Sequence, residues 1–195
     1  MIAGIIMRGE STTHDLIVYR AINRDDLRNI MTNDYFQYLQ RIIPYQSDRS
    51  IELVQVNECE ICLLNYLQTL DPSITDEDII NFYRGSRMIP IGSDNISINK
   101  ELEFWIIEPK KIEKILSLIP VFDYTKMKNH VPRDNYVLMK DLREKNLKQG
   151  KSVRFFATDF QEYSTKVIEK QKEFINFITT NLQEGFVILC SFEQS

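Results

Sequence analysis

The sequence is poor in the residues that catalytic and metal sites draw on. It holds two histidines, three cysteines and one tryptophan in 195 residues. Two histidines leave little room for imidazole acid–base chemistry. An odd cysteine count without framework spacing excludes a disulfide scaffold and fits a reducing compartment. Six glycines and six prolines are few, so long irregular segments are not expected. No apolar run approaches the roughly 18 residues that a membrane helix needs. The apolar opening, residues 1–7, has no basic region before it and is too short for a signal peptide. An excess of positive charge is missing too. The formal net charge of −4 argues against a dedicated nucleic-acid binder, whose affinity rests on neutralising phosphates. A cytosolic protein with no cofactor and no membrane or nucleic-acid partner is expected.

What is present is apolar periodicity, clearest in residues 158–192. Phe160, Tyr163, Val167, Phe174, Ile178 and Leu182 fall on one helical stripe, interrupted only at Gln171, with Lys166, Glu169, Lys170, Lys172 and Glu173 largely opposite. Thr158 or Asp159 can cap this helix, each with Gln161 or Glu162 three residues on, and Gly185 suits a left-handed exit. Residues 186–192 then read as a buried strand.

The earlier elements are shorter. Residues 2–7 and 16–19 are strand candidates, and residues 1–14 are expected to be a loosely held extension. Asn23 with Asp26 caps a short helix, and a second helix covers 34–43 until Pro44 stops it. An extended segment at 51–56 precedes a capping box, Asn57 with Glu60, that opens a helix through Leu70. Asp71-Pro72-Ser73 turns the chain, Thr75 with Asp78 caps the next helix, and Gly85 ends it. Residues 88–97 are turn-rich, and Leu102, Phe104 and Ile106 alternate with polar neighbours as in a half-buried strand. Pro109 opens a helix through Ile112, Ile115, Leu116 and Ile119, ended by Pro120. One helical turn is expected near Lys126, and a helix over 135–148 carries Tyr136, Leu138, Leu142 and Leu147, with Gly150 closing it. No repeat, low-complexity tract or linker interrupts the chain. The pattern predicts a single α+β domain over 1–195, mainly helical with a small sheet, its long C-terminal helix followed by a closing strand.

Few constellations carry chemistry. Cys59-Glu-Ile-Cys62 has the spacing of a redox pair or half a zinc site. A structural zinc site needs four ligands, and only Cys190, His14 and His130 remain, none paired at ligand spacing. Buried structural thiols in a leucine-rich helix explain the pair at least as well. Gly92-Ser93-Asp94 lacks the spacing of a nucleophile elbow and reads as an exposed turn. Glu101 and Glu103 place two carboxylates on one face of a strand. They are similar to the Glu-x-Glu element of ADP-ribosyltransferase toxins, and Tyr19-Arg20 is similar to the arginine strand of those enzymes. The likeness departs where Ser11-Thr12-Thr13 precedes Arg20, because that family has its Ser/Thr run between the two elements. The plain alternative is the polar outer face of an amphipathic strand.

Charge is segregated. Seven acids and no Lys or Arg lie between Glu52 and Asp78, whereas nine Lys or Arg against three acids lie between Lys126 and Arg154. Such a dipole steers a charged partner, or lets the two segments face each other within the fold. Glu58, Glu60, Asp76, Glu77 and Asp78 are the candidate binding residues.

Three stretches combine into a further pattern. Tyr19-Arg-Ala-Ile-Asn-Arg-Asp-Asp-Leu-Arg28 reads as a strand and a short capped helix, residues 58–70 as a central helix after an extended stretch, and residues 160–189 as a long helix, glycine and strand. In this order the chain resembles the YfbM-like family of small bacterial proteins of unknown function. The likeness spans most of 16–192, although the tryptophan of that family's central helix is absent here. It implies a fold and brings no site residues. The reading is a bacterial, non-enzymatic protein that binds another protein, of the immunity or toxin-neutralising type. The alternative is a small transferase or hydrolase using Arg20 or Tyr19 with Glu101 or Glu103.

Overall fold

A computed structural model of the chain describes residues 16–32, 49–54, 56–89, 104–149 and 157–193. The expected strand at 2–7, the helix at 34–43, the turns at 90–97 and the Gly150 stop lie outside these residues. Among the described residues five strands form one antiparallel sheet: β1 (Leu16–Ile22), β2 (Ser50–Val54), β3 (Arg87–Met88), β4 (Phe104–Ile107) and β5 (Val187–Glu193), in the order β2-β1-β5-β4-β3. Seven α-helices are described: α1 (Arg24–Thr32), α2 (Val56–Leu70), α3 (Asp76–Arg84), α4 (Glu113–Leu118), α5 (Tyr124–Met127), α6 (Arg133–Lys148) and α7 (Phe160–Gln183). The chain is therefore α+β and mainly helical, as the periodicity predicts.

Strand alternation divides the sheet into two faces. Ile17, Tyr19 and Ala21 of β1, Ile51 and Leu53 of β2, and Ile188 and Cys190 of β5 point to the main core with α2, α3 and α7. Ile22, Ile106 and Leu189 point the other way, where Ile89 and Leu27 of α1 join them. The register makes the two sets consistent, since Tyr19 pairs with Cys190 and Trp105 pairs with the same Cys190 from the other side.

The long stripe of α7 is the floor of the main core. Tyr163, Val167, Phe174 and Ile178 are buried, and so is Gln171. The polar interruption is thus an inward-facing group with a role. Its Oε1 accepts from the Tyr83 hydroxyl at 2.6 Å. Tyr83 stacks on Phe174 at 4.9 Å, and Tyr19 and Phe82 approach the same ring at 4.6 and 5.3 Å. The Tyr19 hydroxyl donates to the Tyr83 carbonyl at 2.7 Å.

Both ends of α7 are closed. Asp159 caps the start, accepting from the Glu162 N–H at 2.8 Å. Glu162 in turn accepts from the N–H and the hydroxyl of Thr158 and pairs with Lys166, each at 2.7 Å. At the other end Phe186 N–H donates to Asn181 O and Gly185 N–H to Leu182 O, which is a Schellman motif. Arg49 seals it, bonding Glu184 at 2.7 Å and lying 4.0 Å over the Phe186 ring, a favourable place for a cation beside helix carbonyls.

The caps at Asn23 and Thr75 form as expected. The box at Asn57 and Glu60 does not. The helix already begins at Val56, and both side chains turn to Arg84 instead. Arg84 Nε and Nη2 donate to Glu60 at 2.7 and 3.0 Å, and Nη2 also donates to Asn57 Oδ1 at 2.7 Å. A bidentate fork outcompetes a local cap because it is charge-assisted and fixes α2 to α3. Two further departures are small. Pro109 opens a 3-10 turn (Pro109–Lys111) rather than one continuous helix, and Arg87–Met88 forms an edge strand that turn residues gave no reason to expect.

Two glycines share a positive φ and differ in surroundings, which makes them a controlled pair. Gly85 has φ 81° and ψ 160°, and a Cβ there would lie 2.9 Å from both Ile106 O and Trp105 Cβ. Gly185 has φ 85° with nothing within 4 Å. Gly185→Ala is expected to cost about 1 kcal/mol from backbone strain alone. Gly85→Ala is expected to cost about 3 kcal/mol or more, because strain and contact with β4 add. Equal urea midpoints for the two variants would contradict this. The cap of α7 sets a pH dependence. Hydrogen bonding to Lys166 and to Thr158 lowers the Glu162 carboxyl from 4.5 to about 2. A lowered folded-state value gives stability present above the unfolded value and lost as pH falls toward the folded one. The difference in melting temperature between wild type and Glu162→Gln should be constant near neutrality and shrink between about pH 4.5 and 2.

Candidate functional site

The structure separates the candidate residues into those used by the core and those open to solvent. Tyr19 is fully buried, and burial pushes its hydroxyl well above the usual tyrosine range. Arg20, on the opposite face of β1, donates to Ser191 Oγ at 2.8 Å. Glu101 and Glu103 lie outside the described residues, as does His14. His130 is half-buried, its ring centroid 5.8 Å from that of Tyr66 in an edge-on arrangement.

The three cysteines all lie in the core. Burial pushes the Cys59 thiol well up, with the Glu58 carboxylate adding to it. It pushes Cys62 and Cys190 up to about 12. Cys62 Sγ donates to Met127 O at 3.5 Å, and Cys190 Sγ to Arg84 O at 3.2 Å. Among the described residues no three potential metal ligands come together. A thiol held so far from thiolate is a poor nucleophile and a poor ligand. The helix N-terminus that would favour a thiolate is present at Cys59, but desolvation outweighs it.

Of the five acids expected to bind a partner, two are structural. Glu58 is 8% exposed, and Glu60 is clasped by Arg84. Asp76, Glu77 and Asp78 form the first turn of α3, the first two exposed and the third both closing the capping box and facing Lys114 at 3.7 Å. This turn is one wall of a groove of about 690 Å³, to which Glu77, Asp78 and Asn81 contribute. The opposite wall is the stretch from the 3-10 turn into α4, with Lys110, Lys111, Glu113 and Lys114. A smaller hollow of about 380 Å³ lies along the last half of α6, beside Asp141, Glu144 and Lys148.

The walls are held by short local bonds. Thr75 Oγ1 and the Thr75 N–H both donate to Asp78 Oδ2, at 2.8 and 2.9 Å. Lys114 Nζ also donates to Ser73 O at 3.5 Å, and the Lys111 N–H to Glu108 O at 2.9 Å. Desolvation raises the Asp78 carboxyl, but the two Thr75 bonds and Lys114 together outweigh it and lower it. The lysine wall was not among the sequence candidates. Its signal was the Pro109-Lys-Lys run and Lys114 one turn later, which reads as an ordinary polar helix start until α3 is placed across from it.

No protein-family model matches the chain, and no curated protein matches its sequence. Among solved structures, the crystal structure of the protein of unknown function YfbM from Escherichia coli matches over 91% of this chain and 99% of that one. The identity is 10% and the TM-score 0.49. Neither family membership nor an activity follows from a likeness at that level. No helix among the described residues is long and apolar enough to cross a membrane.

The cysteines give the sharpest test of the chemistry at this stage. At mildly alkaline pH, all three thiols of the folded chain should react with a thiol reagent only as fast as the chain opens, and all at once in denaturant. Rapid reaction of both Cys59 and Cys62 in the native state would restore them as a reactive pair.

Proposed function

We propose that this chain acts by binding another protein through the groove between α3 and the Pro109–α4 stretch, as an immunity-type or toxin-neutralising partner does, and not by catalysis. The observation that carries the reading is unspent charge of both signs on two firmly held walls. Glu77 on one side, and Lys110 and Lys111 on the other, make no ion pair among the described residues. Exposed charges of this kind steer encounter and select partners more than they add affinity. Ile80, 47% exposed and one turn from Glu77, supplies an apolar contact beside them. The groove replaces the broader acidic segment as the binding surface, because Glu58 is buried and Glu60 is clasped by Arg84. A bacterial cytosolic setting belongs to the same reading.

Affinity capture from extracts of the source cells at low salt tests it. One protein should be retained in stoichiometric amount and released as salt rises, since exposed pairs are screened, and it should lose its own activity in the complex. A chain that retains no protein at low salt would sink the proposal.

A further inference from the structure

The half-buried side chain of Asn81 lines the same groove, and among the described residues its carboxamide makes no hydrogen bond. A carboxamide offers an acceptor and two donors, the complement of a peptide group. Asn81 follows Glu77 by four positions on α3, so the two project from one helical face, and Lys110 and Lys111 stand across from them. The lysine wall also carries Glu113. A ligand of one sign is therefore repelled by part of the site. A polyanion meets Glu77 and Asp78, and a polycation meets the lysines, so the discrimination is built as much from repulsion as attraction. The walls need no rearrangement, because the capping box, the Lys114–Asp78 pair and the 3-10 turn already hold them.

We infer that the groove receives an extended peptide segment of mixed charge from the partner, with its backbone on the Asn81 carboxamide, a carboxylate toward Lys110 and Lys111, and a cationic side chain toward Glu77. This rests on the protein-binding reading above and specifies what that surface recognises. The groove is open to solvent, and its volume of about 690 Å³ falls in the range of ligand clefts.

The test uses the isotope-labelled full chain and three synthetic peptides of equal length: alternating Lys-Glu, all-Lys and all-Glu. At low salt the mixed peptide should shift the backbone amides around Glu77, Asn81 and Lys111 in nuclear magnetic resonance spectra. Asn81→Ala, with its fold checked by the same spectra, should weaken that binding about tenfold. The exposed double variant Lys110→Glu, Lys111→Glu should move the preference to the all-Lys peptide. Equal binding of a single-sign peptide, no shift at the groove with any of the three, or an unchanged affinity for Asn81→Ala would each overturn the inference. Capture of one protein equally by wild type and by the double variant would also overturn it together with the groove as the binding surface, leaving only the coarser reading that the chain binds a protein. A groove that binds the mixed peptide in a chain that captures nothing would support the groove assignment and defeat the partner reading.

Discussion

The packing of Tyr83 against Phe174 and Gln171 is the contact on which the rest of the described structure depends. Tyr83 is near the end of α3, Phe174 and Gln171 are on α7, and Tyr19 of β1 closes the group from the sheet. Four aromatic rings, including Phe82, share one buried point. Burying a side chain of this size is worth about 1.5–3 kcal/mol, and aromatic pairs add about 0.5–1.5 kcal/mol beyond area. The polar atoms fix direction, which area alone does not. Tyr83 can donate to Gln171 only if α3 lies at one height along α7, and Gly85 then brings the chain against β4 at a distance no Cβ would allow. Gln171 Nε2 is buried without a hydrogen-bond partner among the described residues, a cost the packing around it has to offset.

Local structure was largely legible in the sequence, and long-range use of side chains was not. The caps at Asn23, Asp159 and Thr75, the stops at Gly85 and Gly185, and the stripe of α7 all follow from residues within a turn of one another. Those features are fixed by local geometry, so spacing reveals them. Gln171 looked like a fault in the stripe because its partner, Tyr83, is 88 positions away. Asn57 and Glu60 looked like a cap because Arg84 is 27 and 24 positions off, respectively. In both cases the local reading was chemically sound, and a stronger distant partner took the group.

The candidate site shows the same limit from the other side. Acid-rich residues 52–78 read as one negative surface, yet their side chains have different fates: a buried carboxylate at Glu58, a fork with Arg84 at Glu60, a turn bond at Asp71 and a cap at Asp78. Exposed acids remain at Glu52 of β2 and at Asp76 and Glu77 in the first turn of α3. The lysines that complete the groove belong to neither of the two segregated charge blocks. Composition along the chain cannot tell which charges the fold has already consumed.

The position of β5 has a consequence for how the molecule comes into being. β5, the last of the described strands, pairs with β1 on one side and β4 on the other, so the centre of the sheet is supplied by residues 187–193. Arg20 and Ser191, bonded across that seam, are 171 positions apart. During synthesis β1 and β4 are therefore made long before the strand that joins them, and the halves β2-β1 and β4-β3 must wait as separate ribbons. Such non-local pairing slows folding, since loop closure precedes any reward from contact. It also leaves two strand edges exposed while the chain is unfinished, the condition under which nascent chains associate with the wrong neighbour.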